Sequence, residues 1–134
     1  MPPFETTRLP VRADTRAPDG AEVRILLQLA GGSVAHFELG AGRVSRAVTH
    51  RTVDEIWYVI GGRGEMWRHQ GDRESVVALE TGVCVTIPLG THFQFRSLGP
   101  APLAAVVVTM PPWPGPDEAV LVAGHWTPTE SPPG

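Results

Sequence analysis

The sequence has no lysine, a single cysteine and no apolar stretch long enough to cross a bilayer. All eleven basic residues are arginines, scattered among fourteen acidic ones, for a formal net charge of -3 and a pI near 5.9. Without a basic stripe, nucleic acid is not an expected partner. Cys84, standing alone, cannot close an internal disulfide. The longest apolar run, Leu103 to Val108, is strand-sized, well short of the ~18 residues of a membrane span. Met1 to Gly20 lacks the apolar core of a secretion signal. These absences together predict a cytoplasmic chain with no membrane partner. Helical periodicity is missing as well, since no window repeats apolar residues at a 3.6-residue spacing.

The chain does have turns, and many of them: 15 glycines and 14 prolines among 134 residues. They separate nine short apolar or alternating runs: Glu22–Leu29, Ser33–Leu39, Val44–His50, Glu55–Ile60, Glu65–Arg68, Glu74–Leu79, Val83–Ile87, His92–Arg96 and Leu103–Met110. Strands at a spacing near ten residues predict an all-β antiparallel sandwich or barrel with no substantial helix. The length suits one domain. We expect residues 1–20 to form a flexible or edge-packed arm and residues 21–110 the barrel. Residues 111–134, rich in proline and carrying Trp113 and Trp126, are expected to form a tail packed on it.

Two blocks resemble the motifs of the cupin superfamily, a jelly-roll barrel with a pocket between its sheets. Gly42 is followed by five residues, then Val48-Thr49-His50, four residues, Glu55, six residues and Gly62. Every spacing of the first cupin motif is met, with Val48 in place of its first histidine. In the second block Gly82 is followed by five residues, Pro88-Leu89-Gly90, Thr91-His92-Phe93 and, later, Ser97. Phe93 stands where that motif has histidine and Ser97 where it has asparagine, while His92 lies one residue early. The resemblance implies a single jelly-roll barrel of two antiparallel sheets and a homodimer paired through its sheets, with the alternate face of Ile56, Tyr58 and Ile60 as the contact.

In cupins the two histidines of the first motif, its glutamate and the histidine of the second motif converge on a divalent metal. The resemblance therefore implies a metal set of His50, Glu55 and, as a third ligand, His92, holding iron, manganese, zinc or nickel. A facial set needs three such ligands. Strict strand alternation sends His92 and Phe93 to opposite faces, so His92 and Gln94 turn inward only if the strand slips by one residue. The alternative is a metal-free pocket in which His50 and Glu55 act as an acid–base pair.

Trp57, two residues after Glu55, is expected on the same face as a pocket wall, Gln94 as a ligand contact after a slip, and Trp113 as a lid or plug over the barrel mouth. His36 is expected as a surface or core histidine, His69 at an exposed hairpin tip, His125 outside the site, and one of Met66 and Trp67 inward. Cys84, in an apolar strand, is expected as a buried thiol. Gly61-Gly62-Arg63-Gly64 follows a strand but opens no helix, so it reads as a tight turn rather than a phosphate loop. Arg68 and Arg96 are candidates for pairing with an anionic substrate. The expected function is a small-molecule enzyme performing isomerase, lyase or dioxygenase chemistry with His50 and Glu55. The alternatives are a non-catalytic small-ligand-binding module and a purely structural barrel.

Overall fold

The computed structural model describes residues 1–130, so the last four positions of the expected tail, 131–134, lie outside the described residues. Eleven strands form two antiparallel sheets. The first sheet has six: β1 (Thr15–Arg16), β2 (Glu22–Leu29), β3 (Gly32–Leu39), β10 (Leu103–Met110), β5 (Asp54–Gly61) and β8 (Cys84–Ile87), in that spatial order. The second has five: β11 (Ala119–Leu121), β4 (Val48–His50), β9 (His92–Ser97), β6 (Arg63–Gln70) and β7 (Arg73–Glu80). One 3-10 turn, Pro116–Glu118, is the only helical piece among the described residues. This is the all-β antiparallel architecture expected from the spacing of turns, in the two-sheet jelly-roll form that the resemblance implies.

Alternation writes the two faces into the strands. In β5, Glu55, Trp57 and Val59 are buried while Asp54, Ile56, Tyr58 and Ile60 are exposed. β10 reads the same way, with Leu103, Ala105, Val107 and Thr109 inward. Between the sheets, Trp57 meets Phe95 edge-on at 4.9 Å, Phe37 at 5.4 Å and Phe93 at 6.1 Å. Burying rings of this size supplies much of the apolar area a small barrel needs. Met66 is the inward member of its pair, and Trp67 points outward.

Two runs differ from the sequence expectation. Val44–His50 is a strand only over Val48–His50, because Ser45 meets β9 through its side chain. The Ser45 hydroxyl accepts the Phe95 N–H, and the Ser45 N–H donates to the Phe95 carbonyl. Cys84 is exposed rather than buried: Val85 and Ile87 take the inward positions of β8, so Cys84 and Thr86 face out. Gly62 is required by the turn between β5 and β6. Its φ is 75°, and a Cβ there would lie 2.2 Å from the Pro102 carbonyl oxygen.

Segments towards both ends of the described residues engage the barrel. β1 extends the first sheet beside β2, and Arg24 donates to the carbonyls of Pro10 and Val11. β11 extends the second sheet beside β4. Further on, Glu130 is buried with Arg43 and Arg16 as ion-pair partners.

Candidate functional site

His50 closes β4 in the five-stranded sheet, and Glu55 is the second residue of β5 in the six-stranded one, so the turn Arg51-Thr52-Val53 carries the chain from one wall of the barrel to the other. His50 Nε2 faces Glu55 Oε1 at 4.0 Å, and the two side chains are only 7% and 1% exposed. The pair therefore sits in the barrel rather than on its rim.

Each partner is tuned by its surroundings. Burial, the largest influence, pushes the Glu55 carboxyl up to about 7, with some relief from its hydrogen bonds. Those bonds come from Trp57 Nε1 at 3.0 Å and Thr109 Oγ1 at 3.2 Å. Burial also lowers His50 from the usual histidine value, outweighing the attraction of Glu118. Near neutral pH the contact is thus between a carboxyl that is about half protonated and a mainly neutral imidazole. His50 Nδ1 is buried without a hydrogen-bond partner, a costly state for a polar atom.

Glu118 holds the turn that joins the pair, and nothing in the sequence marked it. Its carboxylate accepts the N–H groups of Thr52 at 2.5 Å and Val53 at 2.9 Å, together with the Thr52 hydroxyl. Burial raises the Glu118 pKa, but these bonds and nearby His50 prevail and leave it below the ordinary value. Ala119, the next residue, pairs with His50 across the β11–β4 ladder.

The second motif keeps its strict register. Val48 and Phe93 are direct partners in the β4–β9 ladder, and the Phe93 ring stands 5.3 Å from His50. Both are buried in the core. The two positions that depart from the histidines of the cupin pattern are therefore neighbours, and they form a dry apolar wall. His92 points to the opposite face, paired with His69 at 6.0 Å between ring centroids. It does not join His50 and Glu55, because no slip or bulge turns β9 over. Among the described residues no three His, Cys, Asp or Glu side chains gather as a metal set. With two ligand types present and both Glu55 oxygens already hydrogen-bonded, the residues do not fit the iron, manganese, zinc or nickel centre that the resemblance implies.

Two of the three expected ligand contacts are placed differently. Trp57 is 1% exposed and belongs to the aromatic core, acting on the site through its bond to Glu55 rather than as a pocket wall. Gln94 is fully buried, but on the outer face of its sheet, where the tail covers it. Its amide nitrogen donates to the carbonyls of Ser45 (2.8 Å) and Trp126 (2.9 Å), and its oxygen accepts the N–H groups of His125 and Trp126. Trp113 is half-buried, and its N–H donates to Ser33 Oγ near the end of β10 that carries Thr109.

On that outer face Trp67 is stacked between His69 and His125, with centroids 5.9 and 6.0 Å away. His69 therefore lies within β6 rather than at an exposed tip, and His125 covers the sheet. His36 is buried on the outer face of the six-stranded sheet, opposite Arg24 and away from the pair. Arg96 is paired with Glu65 and lies over the Trp126 ring at 4.4 Å. Open clefts lie outside the pair: one of about 560 Å3 beside Arg68, and one of about 630 Å3 between Phe4 and the β2–β3 hairpin. Among the described residues no helix is long and apolar enough to cross a membrane.

Comparison with solved structures shows the same fold in several proteins. An uncharacterized conserved protein with a double-stranded beta-helix domain from Klebsiella pneumoniae is 22% identical, with a TM-score of 0.61 over 78% of this chain and 85% of that one. KdgF from Halomonas is 19% identical, with a TM-score of 0.60 over 68% and 78%. Oxalate decarboxylase is 16% identical, with a TM-score of 0.66 over 77% of this chain but 28% of its own longer chain. No curated protein matches the sequence. The profile of the Cupin domain family matches residues 35–109, more than half of the chain and the stretch that holds both motif blocks, and on that match the chain belongs to the cupin family.

Proposed function

We propose that this cupin is a small-molecule enzyme that moves protons without a metal, with Glu55 as general acid and His50 as general base. The carrying observation is the 4.0 Å contact of two buried groups whose proton affinities are displaced towards each other. Two titratable groups with separated roles in one dry enclosure are the arrangement that isomerisation, epimerisation or dehydration requires. The unpartnered His50 Nδ1 supports an active pair over a merely structural one, since a structural histidine gains nothing by leaving a buried nitrogen unpaired. Burial of the aromatic cluster around Trp57 favours a second candidate, a binding module that retains the pair only as hydrogen-bonding groups.

Solvent-deuterium incorporation separates the two. Candidate hydroxy acids and ketoses are incubated with the protein in D2O and followed by proton NMR. An enzyme exchanges a carbon-bound proton, and His50→Ala or Glu55→Gln slows that exchange by about 100-fold or more. Ligand binding without exchange in the parent protein would overturn the catalytic reading in favour of the binding module.

We also propose a homodimer formed through the outer face of the six-stranded sheet. Ile56, Tyr58 and Ile60 are each at least one-third exposed there, a run of apolar side chains along one strand of the kind that marks contacts. Cys84 pairs with Tyr58 in the β5–β8 ladder and reports on the same face. Light scattering is expected to give twice the 14.4 kDa chain mass. Tyr58→Glu is expected to return the protein to monomer and to speed Cys84 alkylation; a monomeric parent protein would remove the proposal.

A further inference from the structure

The cleft of about 560 Å3 beside Arg68 has no part in the chemistry of His50 and Glu55. It lies between two strands that end their sheets, β7 and β8, which share no ladder. Apolar side chains would close such a gap and hide both edges. Its walls instead carry Arg68, Arg73, Gln70, Ser75, Thr86 and Thr91.

Two of these groups are held in place. Arg68 is the register partner of Phe93, so its side chain starts on the inner face of the five-stranded sheet. From there Nη1 donates across the gap to the Thr86 carbonyl at 2.8 Å. Among the described residues no carboxylate lies within 4.0 Å of Arg68 or Arg73, whereas Arg16, Arg24, Arg43 and Arg96 each have a glutamate. The Arg68 guanidinium is thus anchored by one nitrogen and has N–H groups left for a ligand. Gln70 Nε2 donates to the hydroxyl of Thr91, a residue only 1% exposed, which orients the Gln70 amide from below.

Asp72 and Glu74 also border the cleft, so its formal charge is balanced. Glu74 is already engaged on the outer face, where it accepts Trp67 Nε1 at 2.6 Å and faces His125 at 3.8 Å. The remaining surface mixes donors and acceptors, which suits hydroxyl groups because they do both. Anchored guanidinium edges suit a carboxylate. We propose that this cleft binds a small hydroxylated carboxylic acid, with the carboxylate on Arg68 and Arg73 and the hydroxyls on Gln70, Ser75 and the Thr86 carbonyl. Its volume lies within the range of small-molecule sites.

The test is a 1H–15N NMR titration of the full chain with gluconate, glucuronate and tartrate, using glucose as the neutral counterpart. At least one acid is expected to give saturable shifts at Gly71, Ser75, Thr86 and Thr91, and glucose to bind at least tenfold more weakly. Arg68→Gln and the exposed Arg73→Gln are each expected to weaken the acid by about tenfold. Arg73→Gln keeps the test valid should loss of the Arg68 bridge disturb the fold. Failure of all three acids, equal binding of glucose, or unchanged affinity in Arg73→Gln would overturn the proposal. His50→Ala is expected to bind the acid as the parent does, so loss of proton exchange and loss of this site are read separately.

Discussion

Replacing Gln94 by leucine is expected to lower the melting temperature by about 10 °C, a loss of about 3 kcal/mol for a domain of this size. Gln94 is fully buried, and both ends of its amide are used: two backbone carbonyls receive its N–H groups, and two backbone N–H groups meet its oxygen. Leucine fills much the same volume but leaves those four partners bare. A buried backbone group without a partner costs about 1–3 kcal/mol, and the groups of the tail recover part of this by reaching water. Once the segment around Trp126 lifts, the contact of Arg96 with the indole goes too. Gly124 shows how closely the tail is seated, since a Cβ there would lie 2.6 Å from Gln94 Oε1. Thermal unfolding gives the size of the effect, and limited proteolysis near residue 124 shows whether the tail is released first. A loss below about 1 kcal/mol would mean that Glu130 and β11 hold the tail without Gln94.

Glu55→Gln is expected to gain stability relative to the parent protein as pH rises, by on the order of 3 kcal/mol between pH 4.5 and pH 8. The sign follows from proton binding. The folded carboxyl titrates at about 7 against an ordinary 4.5, so across that interval the folded state holds a proton that the unfolded state has released. The Glu55 contribution is complete below pH 4.5 and is lost as pH rises through 7. Glutamine cannot ionise, yet its oxygen still accepts Trp57 Nε1, and its amide is able to donate to Thr109. His50 acts in the opposite direction: its lowered value costs stability as pH falls below 6.5. It is present in both proteins, however, and largely cancels from the difference. Urea unfolding of both proteins at several pH values measures that difference directly. A flat difference would place Glu55 in a wetter setting than its 1% side-chain exposure indicates and would weaken its role as a proton donor at neutral pH.

Much of the architecture was legible residue by residue. β2 and β10 begin and end where alternation and the flanking turns place them, and all nine expected runs contain a strand. The departures have local causes. Cys84 faces out because its apolar neighbours claim the inward positions of β8, a choice of phase that a four-residue strand leaves open. β1 and β11 escaped notice because strands of two and three residues carry too few side chains to show a period.

Sequence alone determined which residues stand at the motif positions, His50 and Glu55 with Val48 and Phe93 in place of histidines, and the resemblance to the cupin motifs implied that these positions share a site, because side-chain identity is fixed before the chain folds. The sequence left open which face of β9 turns inward, and the tertiary structure decided it: Phe93 and Phe95 join the aromatic core, and His92 and Gln94 are left outside. Tertiary structure also decided that an outward-facing Gln94 is buried, because a tail some thirty residues away closes over it. The seat of Glu118 under the 51–53 turn and the raised proton affinity of Glu55 have the same origin. Burial depends on all the chain segments that gather around a group, and no local stretch of sequence contains them.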